Sequence, residues 1–382
     1  VEAATRRILR KETLLLALLA ASTVPIFLFT RAAAAWVRNA NVRAAQIWNS
    51  HGGEELRAGR MDAAIESFRN AATKDRRNTA YQLALARALA VAGRDDEARQ
   101  ILLKMRETAP ESPEINVELA RLGARGPEVS TTILYYHHAL YGFWPSGRSN
   151  DSRRELHFEL VRFLLEHHDR DRALAELLVL ESELPAKGAP QFELARLLLR
   201  AGDPRRALAQ FEDAARMDPK SSRAFAGAGE AAFELGEYGR ARRNLEAALR
   251  LDAGKSRTRA LLETTNLVFS MDPLAPRLSV DERLRRLGLG IDQAALRLKT
   301  CIEERSKLPS LPAPELDDLW SAATDLRGRI DSKHMRADPD LARAGVELIS
   351  GIEEATSRRC GEPTGADLAL LLIGRRHGGA ES

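Results

Sequence analysis

The chain has 382 residues, enough for two or three ordinary domains or for one repeat array with additions at its ends. Its 44% apolar content suffices for a core. Aromatics make up only 5%, and Ala, Leu, Arg and Glu dominate, which favours helices packed through small side chains. A formal charge of +4, from 58 basic against 54 acidic residues, gives no concentrated basic face for nucleic acid, and two cysteines exclude a disulfide-rich scaffold or a four-cysteine zinc site.

Residues 1–12 form a basic segment carrying Arg6, Arg7, Arg10 and Lys11. Residues 13–30 then contain no charged side chain. As a helix rising 1.5 Å per residue they would span about 27 Å, close to the hydrocarbon thickness of a bilayer. Arg31 can snorkel to the interface, and AAAAWV puts Trp36 where an interfacial aromatic would sit. Pro25 is tolerable in a membrane helix. The segment 13–37 therefore reads as a transmembrane helix or signal anchor. A cleaved signal peptide is the rival reading, because Ala32, Ala33 and Ala34 offer small residues after the apolar run, and a buried soluble helix is the blander one. Arg6, Arg7, Arg10 and Lys11 before the span, against Arg31, Arg38 and Arg43 after it, lean towards a cytoplasmic N-terminus and an exported body.

From residue 45 a helical pattern recurs about every 34 residues. In 188–221, small residues at Ala195, Ala207 and Ala214 allow two helices to press together, flanked by Leu194, Leu198 and Phe211. Gly202-Asp203-Pro204 makes the turn, and Asp218-Pro219 ends the second helix. Ala64, Phe68 and Ala71 fit the same offsets in 45–78, as do Ala86, Gly93, Ala98 and Leu102 in 79–112. Ala173 and Leu177 follow in 154–187, and Gly229, Gly236, Ala241, Leu245 and Ala248 in 222–255. The unit at 113–146 fits worst: Thr132 stands at the small-residue site, and Gly123, Gly126 and Pro127 cut its first helix short. The polar tract 146–152 reads as an inserted loop.

This pattern resembles the tetratricopeptide repeat. The resemblance implies an all-α superhelical solenoid of about six helix-turn-helix units over 45–254, in which each pair buries its apolar face against the next. It also implies that first-helix positions 2, 5, 9 and 12 line a concave groove. Position 9 is Arg87, Arg121, Arg162 and Arg196, with Glu230 in the sixth unit; position 5 includes Leu83, Val117, Phe158 and Phe192. Such a groove would suit an extended or acidic peptide, with guanidinium forks on carboxylates and an apolar row for side chains. The plainer alternative is a set of local ion pairs, since Glu118, Glu159 and Glu193 stand three residues before Arg121, Arg162 and Arg196.

Tyr135, Tyr136, Tyr141, Phe143 and Trp144 crowd into ten residues, either as a contact patch or as filling for the irregular third unit. His137-His138 and His167-His168 do not make a metal site, because adjacent residues on a helix point about 100° apart and no HExxH motif accompanies them.

A capping helix is expected at 255–270, followed by a C-terminal helical domain over 271–382. Within that domain helical stretches fall at 280–305, 314–331, 338–358 and 365–377, with the Pro-rich KLPSLPAPE as a linker. Cys301 and Cys360 both lie there and could close a loop of about 60 residues, worth roughly 4 kcal/mol, if the body is exported; two unrelated buried thiols are the alternative.

No complete GxxxxGK[ST] loop and no GxSxG elbow occurs: Gly254-Lys255-Ser256 matches the end of the former, but Leu249 stands where its first glycine belongs. The expectation is a membrane-anchored, non-enzymatic scaffold with protein partners and no cofactor, metal, nucleic acid or small-molecule substrate. Its place would be the inner membrane, with the body periplasmic, in envelope complex assembly or secretion. The alternative makes the C-terminal domain an effector, oligomerisation or enzymatic module regulated by the array.

Overall fold

The structure is a computed structural model that describes residues 2–144, 149–184, 189–305, 314–331, 338 and 340–378; side chains of 2–22, 25, 149, 150, 189, 305 and 314 lie outside the description. All regular structure among the described residues is helical. Among the described residues there are seventeen helices, in chain order α1 (Glu2–Arg57), α2 (Met61–Lys74), α3 (Thr79–Val91), α4 (Asp95–Thr108), α5 (Pro113–Gly123), α6 (Val129–Tyr141), α7 (Ser149–Glu166), α8 (Arg170–Glu183), α9 (Ala189–Ala201), α10 (Pro204–Met217), α11 (Ser222–Glu234), α12 (Tyr238–Leu251), α13 (Ser256–Met271), α14 (Val280–Arg305), α15 (Pro314–Arg329), α16 (Leu341–Cys360) and α17 (Gly365–Gly378). They form two compact units, 1–163 and 164–382.

Side-chain caps open many of the paired helices, because the first turn leaves amide donors without helical partners. Asn78 Oδ1 accepts from the Ala80 amide at 3.1 Å, Asp169 from Arg172 at 3.2 Å, Asp203 from Arg206 at 3.0 Å and Ser221 from Ala224 at 3.3 Å. The turns between paired helices need a left-handed residue. Gly59, Gly93, Gly202 and Gly236 supply it with φ of 76°, 75°, 91° and 71°. In the fourth repeat the same place, 34 residues before Gly202, is taken by His168 at φ 60°. The left-handed conformation costs a β-carbon-bearing residue about 1–2 kcal/mol, partly offset by the larger unfolded-state entropy of glycine. His168→Gly is therefore expected to stabilise unit 164–382 by about 0.5–1 kcal/mol, readable as a raised urea midpoint; an unchanged or lowered midpoint would show that the histidine contributes contacts of equal weight.

The small-residue site of the second helix is fully enclosed in each repeat. Ala64, Ala98, Ala173, Ala207 and Ala241 are all 0% exposed, and so is Thr132 in the irregular third repeat. There the extra bulk is met by Gly123, where an added β-carbon would overlap Thr132 Oγ1, and the threonine hydroxyl donates to Glu128 O at 2.8 Å. α5 is correspondingly short, ending at Gly123 as the sequence predicts. In unit 1–163, Ile65, Phe68, Leu85, Leu89, Leu102, Met105, Ile115, Leu119 and Leu122 make one core between successive pairs.

Two segments differ from the sequence reading. Ser149–Ser152 of the expected loop are helical at the start of α7, where Asp151 pairs with Arg154; acidic residues favour a helix N-terminus. Residues 146–148 lie outside the described residues, as do 307–313 of the Pro-rich linker. The second difference is that α1 runs without a break from Glu2 into the first repeat, since nothing between 37 and 45 stops a helix. Among the described residues no helix is long and apolar enough to cross a membrane; the side chains of 13–22 and 25, over half of the uncharged run 13–30, lie outside them.

In unit 164–382, α13 follows the last helix pair and packs beside α12. Tyr238, Val268, Val346, Ala369 and Ile373 then join α12 and α13 to α16 and α17. A second core, with Leu287, Ile291, Leu298, Leu326, Ile349, Ile352 and Leu370, binds α14 to α17 into a helical bundle. Cys301 and Cys360 are joined as a disulfide with their Cα atoms 5.7 Å apart.

Candidate functional site

The four arginines of position 9 stand on the first helices of their repeats: Arg87 on α3, Arg121 on α5, Arg162 on α7 and Arg196 on α9. In unit 1–163, Arg87 and Arg121 build a ladder that crosses from repeat to repeat. Arg87 Nε donates to Glu118 Oε1 at 2.7 Å, one repeat on. Arg121 donates Nε and Nη2 to the two oxygens of Glu159 at 3.0 and 2.8 Å, again one repeat on, while its Nη1 stands 3.8 Å from Glu118. The Glu159 fork raises the Arg121 pKa further above its ordinary value. Arg162 Nη2 donates to Glu155 Oε1 at 2.7 Å, two turns back on its own helix.

The burial is asymmetric. Glu118 and Glu159 side chains are 11% and 22% exposed, whereas Arg87 and Arg121 are 50% and 47% exposed. A guanidinium has five N–H donors, and the carboxylates engage one edge of it. The ladder thus holds Arg87 and Arg121 on carboxylates while about half of each side chain stays exposed. In unit 164–382, Arg196 forks onto Glu193 at 3.0 and 2.7 Å within one turn, whereas Glu230 of α11 pairs across to Arg257 of α13. The local pair within three residues is thus found at Arg196, while Arg87 and Arg121 bond to glutamates of the next repeat.

Position 5 is less open than the sequence suggests. Val117 and Phe158 are 7% and 3% exposed and belong to the packing of their repeats, which removes them from any ligand-facing row. Leu83 and Phe192 remain partly exposed. Phe192 packs edge-on against Phe211 at 5.5 Å with the Arg223 guanidinium 5.8 Å from its ring centre.

The aromatic cluster divides. Tyr136 is buried against Phe163 at 5.9 Å, Tyr135 lies beneath the Arg106 guanidinium at 5.1 Å, and Trp144 Nε1 donates to Ala139 O at 2.8 Å. Tyr141 and Phe143 point outwards, 65% and 85% exposed. Arg99, Leu103, Gly126, Glu128, Thr131 and Tyr135 help to line a cavity of about 200 Å³ beside the shortened α5. Among the described residues no group of three His, Cys, Asp or Glu side chains converges as a metal site.

Sequence reasoning missed Asp272, Arg286 and Glu353 in 271–382. Asp272, which reads only as the Asp-Pro stop after α13, is 2% exposed and receives His377 Nε2 at 3.2 Å, Arg376 Nη1 at 3.4 Å and the Leu274 amide at 2.9 Å. Arg286 Nη1 donates to the carbonyls of Phe269 and Asp272 at 2.8 and 3.1 Å. This knot ties α17 and α14 to the end of the array. Glu353 on α16 is 0% exposed, and neither carboxyl oxygen has a hydrogen-bond partner. Arg297 Nε stands 3.4 Å away; burial first, and Asp367 second, push the Glu353 carboxyl up to about 8. The bundle forms a helical plug on the array, with an open cavity of about 350 Å³ at its surface around the disulfide.

Two segments, 55–122 and 192–256, match family models of the tetratricopeptide repeat. The chain is similar to the solved structure of YrrB, described as a TPR protein with an unusual peptide-binding site, at 16% identity over 51% of this chain and 97% of that one, TM-score 0.42. It is likewise similar to a tetratricopeptide repeat protein from Parabacteroides merdae ATCC 43184, at 13% identity over 74% and 99%, TM-score 0.42. A third is PilW, described as a type IV pilus biogenesis factor, at 18% identity over 57% and 98%, TM-score 0.42. No protein of curated function matches the chain in sequence. The family assignment rests on the two matched segments and on the helix pairs that carry them.

Proposed function

Because the chain is a tetratricopeptide-repeat protein, and such proteins bind protein partners, we propose that it is a membrane-anchored scaffold that captures extended, acidic segments of other proteins. The observation that carries this reading is the ladder of Arg87 and Arg121, each bonded to a glutamate of the next repeat while its side chain stays about half exposed. A ligand carboxylate can add to such an arginine without displacing its structural partner. The glutamates also set the spacing of the donors, so little side-chain entropy is lost when the ligand binds.

Supporting the anchor are the uncharged run 13–30, the continuity of α1 and the exposed Val24, Ile26, Phe27, Leu28, Phe29 and Trp36 along it. The body then works on the periplasmic side of the inner membrane, in envelope assembly or secretion, without catalytic chemistry of its own. The plug-like packing of the C-terminal bundle on α12 and α13 favours a cap over a separately acting effector.

Arg87→Glu with Arg121→Glu should weaken binding of a fluorescent Glu-rich extended peptide by about 10–100-fold, the equivalent of losing one or two charge-assisted hydrogen bonds. Fluorescence anisotropy measures it, with helical content checked by circular dichroism. Unchanged affinity in a folded variant would overturn the groove reading. Location is tested separately: protease should cleave the body in spheroplasts and not in intact cells, and protection until the inner membrane is lysed would reverse the topology.

A further inference from the structure

We propose that the Cys301–Cys360 disulfide is a thiol–disulfide exchange site, opened by a protein dithiol that attacks through Cys360. The two sulfurs are not equivalent. Cys301, within α14, is 2% exposed, whereas Cys360 is the last residue of α16 and is partly exposed at the surface. Both line the cavity of about 350 Å³, whose rim is made by Leu296, Thr300, Glu304, Glu362 and Thr364. Leu296 is 60% exposed there, so an incoming chain meets an apolar contact beside the bond it would attack.

What the bond holds also points to a device. Gly361, directly after Cys360, has φ 103° and turns the chain towards α17, and its carbonyl accepts from Arg297 Nη2 at 2.6 Å. Asp367, on the first turn of α17, accepts from Gln293 Nε2 at 2.8 Å and stands 3.4 Å from Arg297 Nη1. The disulfide therefore holds this short connection at its start, and Arg297 grips it both there, at Gly361, and at its far end, at Asp367. α17 carries Ala369 and Ile373 into the core on α12 and α13, and His377 onto Asp272. Opening the clasp loosens the connection that positions the terminal helix on the end of the array.

A partner thiolate attacks Cys360 Sγ, the Cys301–Cys360 bond breaks, and Cys301 leaves as a thiolate that takes a proton from water. The partner's second thiolate then attacks its own sulfur in the mixed disulfide and releases Cys360. The chain gains two thiols and the partner dithiol becomes a disulfide, a two-electron transfer. The site does not depend on the peptide-binding reading.

The test uses the full wild-type chain and reduced thioredoxin as the probe dithiol, in native buffer and in urea, with acid quench and mass analysis. A thioredoxin whose resolving cysteine is replaced by serine then traps the first adduct, and iodoacetamide marks the thiol set free. The expected result is reduction in native buffer within about tenfold of the rate in urea, with the adduct on Cys360 and the label on Cys301 by about tenfold or more. Reduction only after unfolding, or an adduct chiefly on Cys301, would overturn the proposal.

Discussion

Glu353→Gln should stabilise the C-terminal bundle at neutral pH and flatten its pH dependence. The carboxyl is completely buried, without a hydrogen-bond partner, and held at about 8 against an ordinary value of 4.5, mainly by burial and further by Asp367. Arg297 at 3.4 Å pulls the other way but also serves Asp367 and the Gly361 carbonyl. Below pH 4.5 the group is protonated in both folded and unfolded chains and has no effect. Between about 4.5 and 8 the unfolded chain gives up its proton while the folded one keeps it, so stability falls as pH rises; above 8 the loss is complete. At about 1.4 kcal/mol per unit, the cost at pH 7 reaches about 3 kcal/mol, and at pH 5 stays under about 1 kcal/mol. Glutamine copies the protonated shape without the ionisable group, so its gain should grow with pH in the same way. Urea unfolding followed by the fluorescence of Trp320, the only tryptophan in 164–382, measures it. An equal effect at pH 5 and pH 8, or a destabilised variant, would show that the ionised carboxylate is the form the bundle needs.

The repeat frame was legible because its rules are local. Small residues at one offset and a turn residue at another mark each helix pair, and Ala64, Ala98, Ala207 and Ala241 are all enclosed where the spacing puts them. In the tail the local signals were less exact: the stretch expected over 338–358 is the helix Leu341–Cys360, while those expected at 314–331 and 365–377 begin at Pro314 and Gly365. What could not be read is pairing between repeats. Glu118 stands three residues before Arg121 in sequence, yet its closest arginine is Arg87 of the preceding repeat at 2.7 Å, because stacking brings neighbouring first helices side by side. Asp272 was illegible too, since His377 lies more than a hundred residues away. Glu353 did leave a signal. Ile349, Ile352, Glu353 and Thr356 follow the spacing of one buried helix face, and a glutamate inside that stripe, beside the exposed Glu354, announces an unusual carboxyl.

Replacing both Cys301 and Cys360 by alanine is expected to lower the stability of the same bundle by about 4 kcal/mol, the entropy of the chain closed by a bond spanning 59 residues. The closed segment contains α15 and its connections, so the unfolded chain gains most of its freedom there. Reductant on the wild-type chain should reproduce the loss, and the double variant should show none further; a loss under about 1 kcal/mol would mean that the packing of α14 on α16 already fixes the loop ends in the unfolded ensemble. The two large effects should not add, because both meet at Arg297, which binds the carbonyl after Cys360 and stands beside Glu353. With the clasp removed, water reaches Glu353 more easily and its carboxyl falls back towards 4.5. The fall of stability between pH 4.5 and 8 should then be shallower in the cysteine-free chain than in the wild type. Glu353→Gln in that background should gain less than about 3 kcal/mol at pH 7. A full, unchanged gain would mean that Glu353 stays sealed without the disulfide, and that the clasp governs only the turn into α17.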